Sequence, residues 1–188
     1  MVSRYHNCIN LLAELNQIKT KKNRMKTKLP CVKSAAELGI TKKQRKNLAK
    51  LTVFVKTKVA PPKFNLRVFN SGSPNIATDK VECGTSACFC AYGPLAGIAI
   101  APRKPGCYGE SWAAYSQRVF GVDMWGDIYH LLFDANHENT KEAAVLRGAY
   151  FLMHGLPKNV DNYEMKYWEV PSNFQPNWHS IRAVASAK

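Results

Sequence analysis

The sequence predicts a mainly α fold, a compact bundle of about six or seven short helices with little strand, behind a basic N-terminal extension. Two observations lead to this prediction. Apolar residues recur at helical spacing along most of the chain, and helix-capping residues precede these stretches while Gly or Pro follows them. We divide the chain into the extension at residues 1–40, a mainly α core at residues 41–160 and an aromatic-rich C-terminal tail at residues 161–188.

The extension begins with a predicted amphipathic helix and continues as a basic run. Tyr5, Ile9 and Leu12 recur at helical spacing, which predicts a helix at residues 4–18. The run KTKKNRMKTK, at residues 19–28, contains no acidic residue, so its like charges repel one another. We expect a mobile linker there because the run has almost nothing to bury.

Two capping boxes follow the basic run. Ser34 and Glu37 have capping-box spacing ahead of Gly39, which predicts a short helix with glycine just past its end. Thr41 and Gln44 repeat the box and open a longer helix, at residues 42–59, which two prolines stop. The predicted inner stripe of this helix is Leu48, Leu51, Val55 and Val59, with Phe54 beside it.

Further helices are predicted from the same signals. Asn139 and Glu142 form another capping box, and the helix that they open ends at about His154, where Gly155 follows. The remaining predicted helices lie at residues 86–92, 112–120, 124–133 and 178–187, the second of them capped by Ser111 and closed by Gly121. Residues 64–75 favour a short extended segment and a turn, and residues 101–109 a surface loop.

The positive charge is concentrated in the first part of the chain. The net charge is +14. Residues 1–80 contain 18 Lys and Arg against 3 Asp and Glu, whereas residues 81–188 contain 9 against 10. This asymmetry favours a basic arm for a polyanion, because each phosphate that a cation neutralises releases condensed counterions.

The basic residues of this arm and of the following helix predict non-specific binding of DNA or RNA. Phosphate contacts of this kind contribute affinity but do not read sequence. Aromatic residues are sparse here, so base stacking has little to work with. The alternative is a solvated charge run without a ligand. The candidate nucleic-acid-binding residues are Lys19, Lys21, Lys22, Arg24, Lys26, Lys28, Lys42, Lys43, Arg45 and Lys46.

A helix-turn-helix is a second interpretation of residues 33–51. Ala35 and Gly39 have the four-residue separation that the motif needs, and Leu48 is apolar where the second helix meets the first. Against it, Arg45 occupies a position that the motif keeps apolar. The alternative is a basic helix whose main role is to contribute its apolar face to the core, and this explains the same residues.

The stretch CGTSACFCAYG, at residues 83–93, admits three interpretations. Buried cysteines at the start of a helix are favoured, since free cysteine packs as a small hydrophobic residue. Zinc binding needs four ligands, and the spacing of Cys83, Cys88 and Cys90 matches no common zinc site. Thiol chemistry has the support of a helix N-terminus that lowers a thiol pKa, but lacks a recognisable base. We therefore assign no catalytic residue, no metal ligand and no cofactor.

Residues 48–156 resemble a group of small phage and bacterial proteins of unknown activity. The motif that carries the likeness is Cys-Gly-Thr-x-x-Cys-x-x-x-x-Gly, which begins at Cys83. FNLRVF at residues 64–69 and WAAYSQRVFGV at residues 112–122 are similar to segments of that group in order and spacing. This chain departs from the group at residues 92–94, where Tyr-Gly-Pro replaces Ala-Gly-Trp. The resemblance implies a compact, mostly α domain and a phage origin, and it implies no activity.

The C-terminal tail is rich in aromatic residues. Tyr and Trp are typical anchors of protein interfaces, so a protein-docking surface made of Tyr163, Tyr167, Trp168 and Trp178 is one interpretation. The other is that the tail packs over its own core.

The leading hypothesis is a non-enzymatic phage accessory protein that associates with nucleic acid, or with a nucleoprotein, through the arm. An inhibitor of a host protein that docks through the aromatic tail is the alternative, and a thiol or zinc enzyme at Cys83 and Cys88 is the third. The N-terminus lacks the apolar core of a signal peptide, and no apolar stretch approaches the ~20 residues that span a bilayer. We expect a protein of the host cytoplasm without membrane contact, with association with the virion left open.

Overall fold

A computed structural model describes residues 31–65, 89–98, 112–123, 126–134, 139–165 and 167–187. Across these ranges the chain is helical and forms no strand, which confirms the predicted mainly α class. The helices are α1 (Lys42–Lys58), α2 (Trp112–Phe120), α3 (Asp127–Leu132), α4 (Lys141–His154), α5 (Asn162–Met165) and α6 (Trp178–Ser186), with 3-10 helices at Pro61–Lys63 and Cys90–Tyr92.

Helix α1 is the centre of the fold and packs against α2, α4 and α6. Its predicted capping box is confirmed, since the Gln44 backbone N–H donates to Thr41 Oγ1 (3.2 Å) and the Thr41 N–H donates to Gln44 Oε1 (2.9 Å). The predicted inner stripe is also confirmed, and Leu48, Leu51, Val55 and Val59 are all buried. The side chains that face the other helices therefore come from one continuous face of α1.

The segment before α1 is a single turn rather than the predicted short helix. The Ile40 N–H donates to the Ala35 carbonyl and the Gly39 N–H to the Ala36 carbonyl, the two bonds of a Schellman ending. Gly39 has a φ of 67°, so the backbone turns out of helical conformation after one turn. The capping box of Ser34 and Glu37 is present. The turn is part of the hydrophobic core, because the Ile40 side chain that ends it is buried among the core residues.

Helix α4 begins one residue later than the sequence predicts. Thr140, not Asn139, is the N-cap, and its side chain accepts a hydrogen bond from the Ala143 N–H (3.2 Å). Asn139 instead donates from Nδ2 to Asn65 Oδ1 (2.9 Å), a contact across 74 positions of the chain. The predicted end at His154 is confirmed, with a glycine at φ 79° directly after it.

Residues 89–98 form a 3-10 helix at Cys90–Tyr92 and a turn after it. The sequence predicts a helix over residues 86–92, of which residues 86–88 lie outside the described residues. Phe89 is fully buried, and Cys90 is 2% exposed. Cys90 therefore packs as a core residue, as predicted. Cys83 and Cys88 lie outside the described residues.

The helices at the C-terminal side agree with the sequence prediction to different degrees. Helix α3 is shorter than the predicted helix at residues 124–133, and Gly126 precedes it. Helix α6 forms where predicted, and the Asn177 side chain caps it by accepting from the Ser180 N–H (3.1 Å). Residues 161–187 contribute buried side chains to the same core, among them Met165 and Ile181. No helix in the described ranges is both long and apolar enough to cross a membrane.

Candidate nucleic-acid interface

A basic groove lies between α1, the C-terminal half of α2 and the turn at residues 97–98. Its volume is about 400 Å³. Among the residues that the structure describes, four cationic side chains line it and no carboxylate does. The cations are Lys43, Lys46, Lys50 and Arg118. A concave surface that carries one sign of charge concentrates the field and attracts a polyanion.

Three of the four cations come from one face of α1. Lys43, Lys46 and Lys50 are separated by three and then four positions, which places them side by side along a helix. They span roughly 10 Å of the helix axis at 1.5 Å per residue. Lys43 is exposed, whereas Lys46 and Lys50 are half-buried. The row of lysines therefore runs along the wall of the groove.

Two polar side chains of α1 tie the end of α2 to this row. Gln44 Nε2 donates to the carbonyls of Gln117 (3.2 Å) and Arg118 (3.4 Å). Asn47 Nδ2 donates to the carbonyl of Val119 (2.9 Å). The last carbonyls of a helix have no partner within that helix, so α1 supplies donors to the Arg118 and Val119 carbonyls, while the Gln117 carbonyl also accepts from the Gly121 N–H (3.0 Å). Arg118 is brought next to the α1 lysines by these bonds.

A glycine directly after α2 makes this close approach compatible with the backbone. Gly121 has a φ of 73°, a conformation that other residues adopt only with strain. A Cβ atom at this position would lie 2.8 Å from Gln44 Oε1 and 2.9 Å from the Ile40 side chain. The backbone conformation and the space both require glycine here.

Two of the groove cations are held by contacts of their own. Lys50 Nζ donates to the carbonyl of Gly97 (3.0 Å). The Arg118 guanidinium lies 5.7 Å from the centre of the Tyr115 ring, and Tyr115 is fully buried. Cations that are already positioned lose little conformational entropy when they meet an anion.

The charge at the N-terminus of α1 opposes helix stability. The first turn contains Lys42 and Lys43 and no acidic residue, although the positive end of a helix dipole favours carboxylates. At the other end Lys56 and Lys58 occupy the last turn, where the dipole favours cations. The stability of the helix itself therefore does not explain why lysines occupy the start of α1.

The predicted nucleic-acid-binding residues are distributed unevenly around the groove. Lys43 and Lys46 line it, and Lys42 is exposed beside them. Arg45 lies on another face of α1, where its Nη1 donates to the Lys33 carbonyl (2.8 Å). The predicted residues Lys19, Lys21, Lys22, Arg24, Lys26 and Lys28 lie outside the described residues.

Two of the groove cations were not predicted from the sequence. Lys50 follows Lys46 by four positions, so helical spacing could have included it. Arg118 stands 68 positions further along the chain, and no local pattern connects it to α1. The helix-turn-helix interpretation also lacks its first helix, because the segment before Gly39 is one turn.

The aromatic tail packs largely on its own core. The Trp168 and Phe174 rings both pack against the Tyr150 ring, with distances between ring centres of 4.7 Å and 5.3 Å. Lys56 Nζ lies 4.5 Å from the centre of the Trp178 ring. Tyr167 is 57% exposed. The Tyr163 side chain lies outside the described part of the structure.

No cluster of three or more His, Cys, Asp or Glu side chains suited to a metal ion occurs in the described part of the chain. His130 and Asp134 form a buried pair at α3, with Nδ1 and Oδ2 separated by 2.8 Å. Neither residue lines the basic groove. The pair was not predicted from the sequence, although the two residues stand four positions apart.

Comparison of the chain with protein-family models, with curated proteins and with solved structures finds no match. The function of the chain is therefore inferred from the chemistry of the groove.

Proposed function

We propose that this chain is a non-enzymatic accessory protein that binds nucleic acid without sequence specificity, through its N-terminal arm and the basic groove. The observation that carries the proposal is the groove itself, whose described lining residues include four cations and no carboxylate. Phosphate backbones are the ligands that such a surface attracts most strongly.

The order of the basic features along the chain supports a role for both of them. The basic run ends at Lys28, and α1 begins at Lys42, so the two features follow one another closely in the sequence. Between Lys19 and Lys50 the cations are accompanied by a single acidic residue, Glu37. The Glu37 carboxylate accepts a hydrogen bond from the Ser34 hydroxyl (2.7 Å), and Glu37 does not line the groove.

The proposal is tested by measuring the affinity of the full chain for a nucleic acid of arbitrary sequence across a salt series. The variant Lys43→Gln/Lys46→Gln removes two groove cations, and Lys63→Gln/Lys158→Gln removes two exposed lysines elsewhere as a matched control. In the groove variant the slope of log K against log salt should become shallower by roughly 0.9 for each phosphate that is no longer neutralised. The control should keep the slope of the unmodified chain.

A third variant tests the arm. Replacing Lys21, Lys22 and Arg24 by Gln should weaken binding and reduce the slope further, whereas folding should be unchanged. If the unmodified chain does not bind above background at low salt, or if groove and control variants behave alike, the proposal is wrong.

A further inference from the structure

We infer that the groove holds the sugar-phosphate backbone of double-stranded nucleic acid and that the protein prefers a duplex to a single strand. This inference rests on the proposed function and adds the class of nucleic acid to it. It follows from which groups line the groove and from how they are already engaged.

The described residues of the groove offer no stacking platform. Its lining residues other than the four cations are Thr41, Gln44, Asn47, Gly97, Ile98 and Val119, none of them aromatic. The neighbouring aromatic ring, that of Tyr115, is fully buried behind Arg118. Proteins that bind single strands gain affinity from each base that stacks on an aromatic side chain. A single strand would obtain no such stacking from the described lining residues.

The amide nitrogens that could read bases already donate to backbone carbonyls of α2. Asn and Gln recognise adenine by pairing with its edge, donating from the amide nitrogen. In this groove the amide nitrogens of Gln44 and Asn47 donate to the carbonyls of Gln117, Arg118 and Val119 instead. The groups left to meet a ligand are therefore mainly charges, which bind backbone and not bases.

The arrangement of the charges suits a stiff ligand of high charge density. Duplex DNA carries one negative charge for roughly every 1.7 Å of its axis, both strands counted. The α1 lysines form a row of roughly 10 Å, and Arg118 faces them from α2. Lys50 and Arg118 are held in place by Gly97 and Tyr115. Positioned cations favour a ligand whose phosphates are themselves at fixed positions, because neither partner has to be ordered.

Competition binding with the full chain tests the inference. The probe is a short labelled DNA duplex of arbitrary sequence, and the competitors are the same duplex unlabelled and each of its two strands alone. At one salt concentration the duplex should compete at least about tenfold better than either strand. A flexible polylysine of equal charge, measured in the same way, gives the difference that charge density alone produces, and the preference of this chain should exceed that difference.

Variants of Arg118 test whether the preference for a duplex depends on the groove. Arg118→Gln should weaken duplex binding and lower the salt slope by roughly 0.9, and Arg118→Lys should retain most of that slope. Arg182→Gln removes an exposed arginine of α6 as the matched control and should change neither.

The outcomes separate the two proposals. If single strands bind as tightly as the duplex and the groove variants weaken both equally, the preference for a duplex is wrong and nucleic-acid binding stands. If Arg118→Gln behaves like Arg182→Gln while the lysine variants weaken binding, the placement of the duplex in the groove is wrong. If no nucleic acid binds at low salt, the proposed function itself is overturned.

Discussion

The Asn47 side chain on α1 donates a hydrogen bond of 2.9 Å to the backbone carbonyl of Val119, near the end of α2. This bond joins the two helices that carry the basic groove, and it satisfies a carbonyl that α2 cannot satisfy by itself. The stability of the fold and the geometry of the groove are therefore linked through the same polar side chain.

Replacing Asn47 by Ala should destabilise the protein by about 1–2 kcal/mol, because the Val119 carbonyl would be left without its donor in a partly buried position. The free energy of unfolding in urea measures this effect. Gln175→Ala, at an exposed position in the tail, is the control and should stay within about 0.5 kcal/mol of the unmodified chain. Equal values for the two variants would show that the Asn47 bond contributes nothing to stability.

Replacing Gly121 by Ala should cost about 1–3 kcal/mol, because alanine is strained at a φ of 73° and its Cβ would meet Gln44 and Ile40. A double-mutant cycle with Gln44→Ala separates the two causes. The combined cost should be smaller than the sum of the single costs, since removing the Gln44 side chain relieves one contact. Strict additivity would contradict the contact with Gln44 and leave the backbone conformation as the whole effect.

Helices α1 and α4 touch closely at Thr52 and Gly148. A Cβ atom on Gly148 would lie 2.8 Å from Thr52 Oγ1 and 3.2 Å from the Phe89 ring. Alanine favours a helix over glycine by about 1 kcal/mol, but overpacking of a core costs about 1–3 kcal/mol. Gly148→Ala should therefore lower the melting temperature, and Thr52→Ala should restore part of the loss in the double variant. A melting temperature raised by Gly148→Ala would mean that α1 and α4 can shift apart at this contact without a loss of stability.

Helix α6 should be required for folding of the core. Ile181 is fully buried, and its replacement by Ala should cost about 2–5 kcal/mol. Ala183→Gly, at an exposed position of the same helix, controls for helix propensity and should cost about 1 kcal/mol. Urea unfolding of the two variants measures the difference. If Ile181→Ala costs no more than the control, the tail is a separate attachment that is free to dock elsewhere.

His154 should make stability fall as the pH falls. Partial burial, and then the charge of Lys33, lower the pKa of His154 below its ordinary value of 6.5. The unfolded chain therefore takes up the proton more readily than the folded one, and stability is lost as the pH drops from above 6.5 through the lowered pKa. The ring lies 4.8 Å from Tyr150 and 5.6 Å from Phe174, and these two aromatic rings cover part of the imidazole.

Thermal unfolding between pH 7.5 and pH 5, values chosen to bracket roughly the ordinary histidine range, tests this expectation. His154→Gln should show a smaller loss of melting temperature on acidification than the unmodified chain. His179→Gln, which removes an exposed histidine of α6, should show the full loss. Identical pH profiles for all three proteins would rule out His154 as the cause.

Features that depend on neighbours in the chain were predicted well. The capping box of Thr41 and Gln44, the apolar stripe of α1, the glycine ends after α2 and α4 and the course of α6 all follow from residues within a few positions of one another. The predicted start of α4 was wrong by one residue. Asn139 has the right chemistry for a cap, but Asn65 engages its side chain and Thr140 takes the role.

The candidate site could be predicted only in part for the same reason. Lys43 and Lys46 are visible in the sequence as part of a basic helix. Arg45 belongs to the same run, yet the tertiary structure directs it to the Lys33 carbonyl. Arg118 joins the groove because Gln44 and Asn47 bind the end of α2.

Propensity, capping and charge are properties of short stretches, so the helical class, the extent of α1, the glycine ends of α2 and α4 and the concentration of positive charge in the first 80 residues could be predicted from the sequence alone. The packing of the helices brings four cations of the described residues into one groove and turns most of the described tail aromatics inward. Such outcomes depend on contacts between residues far apart in the chain, whose partners are chosen by packing of the whole core and not by any local pattern.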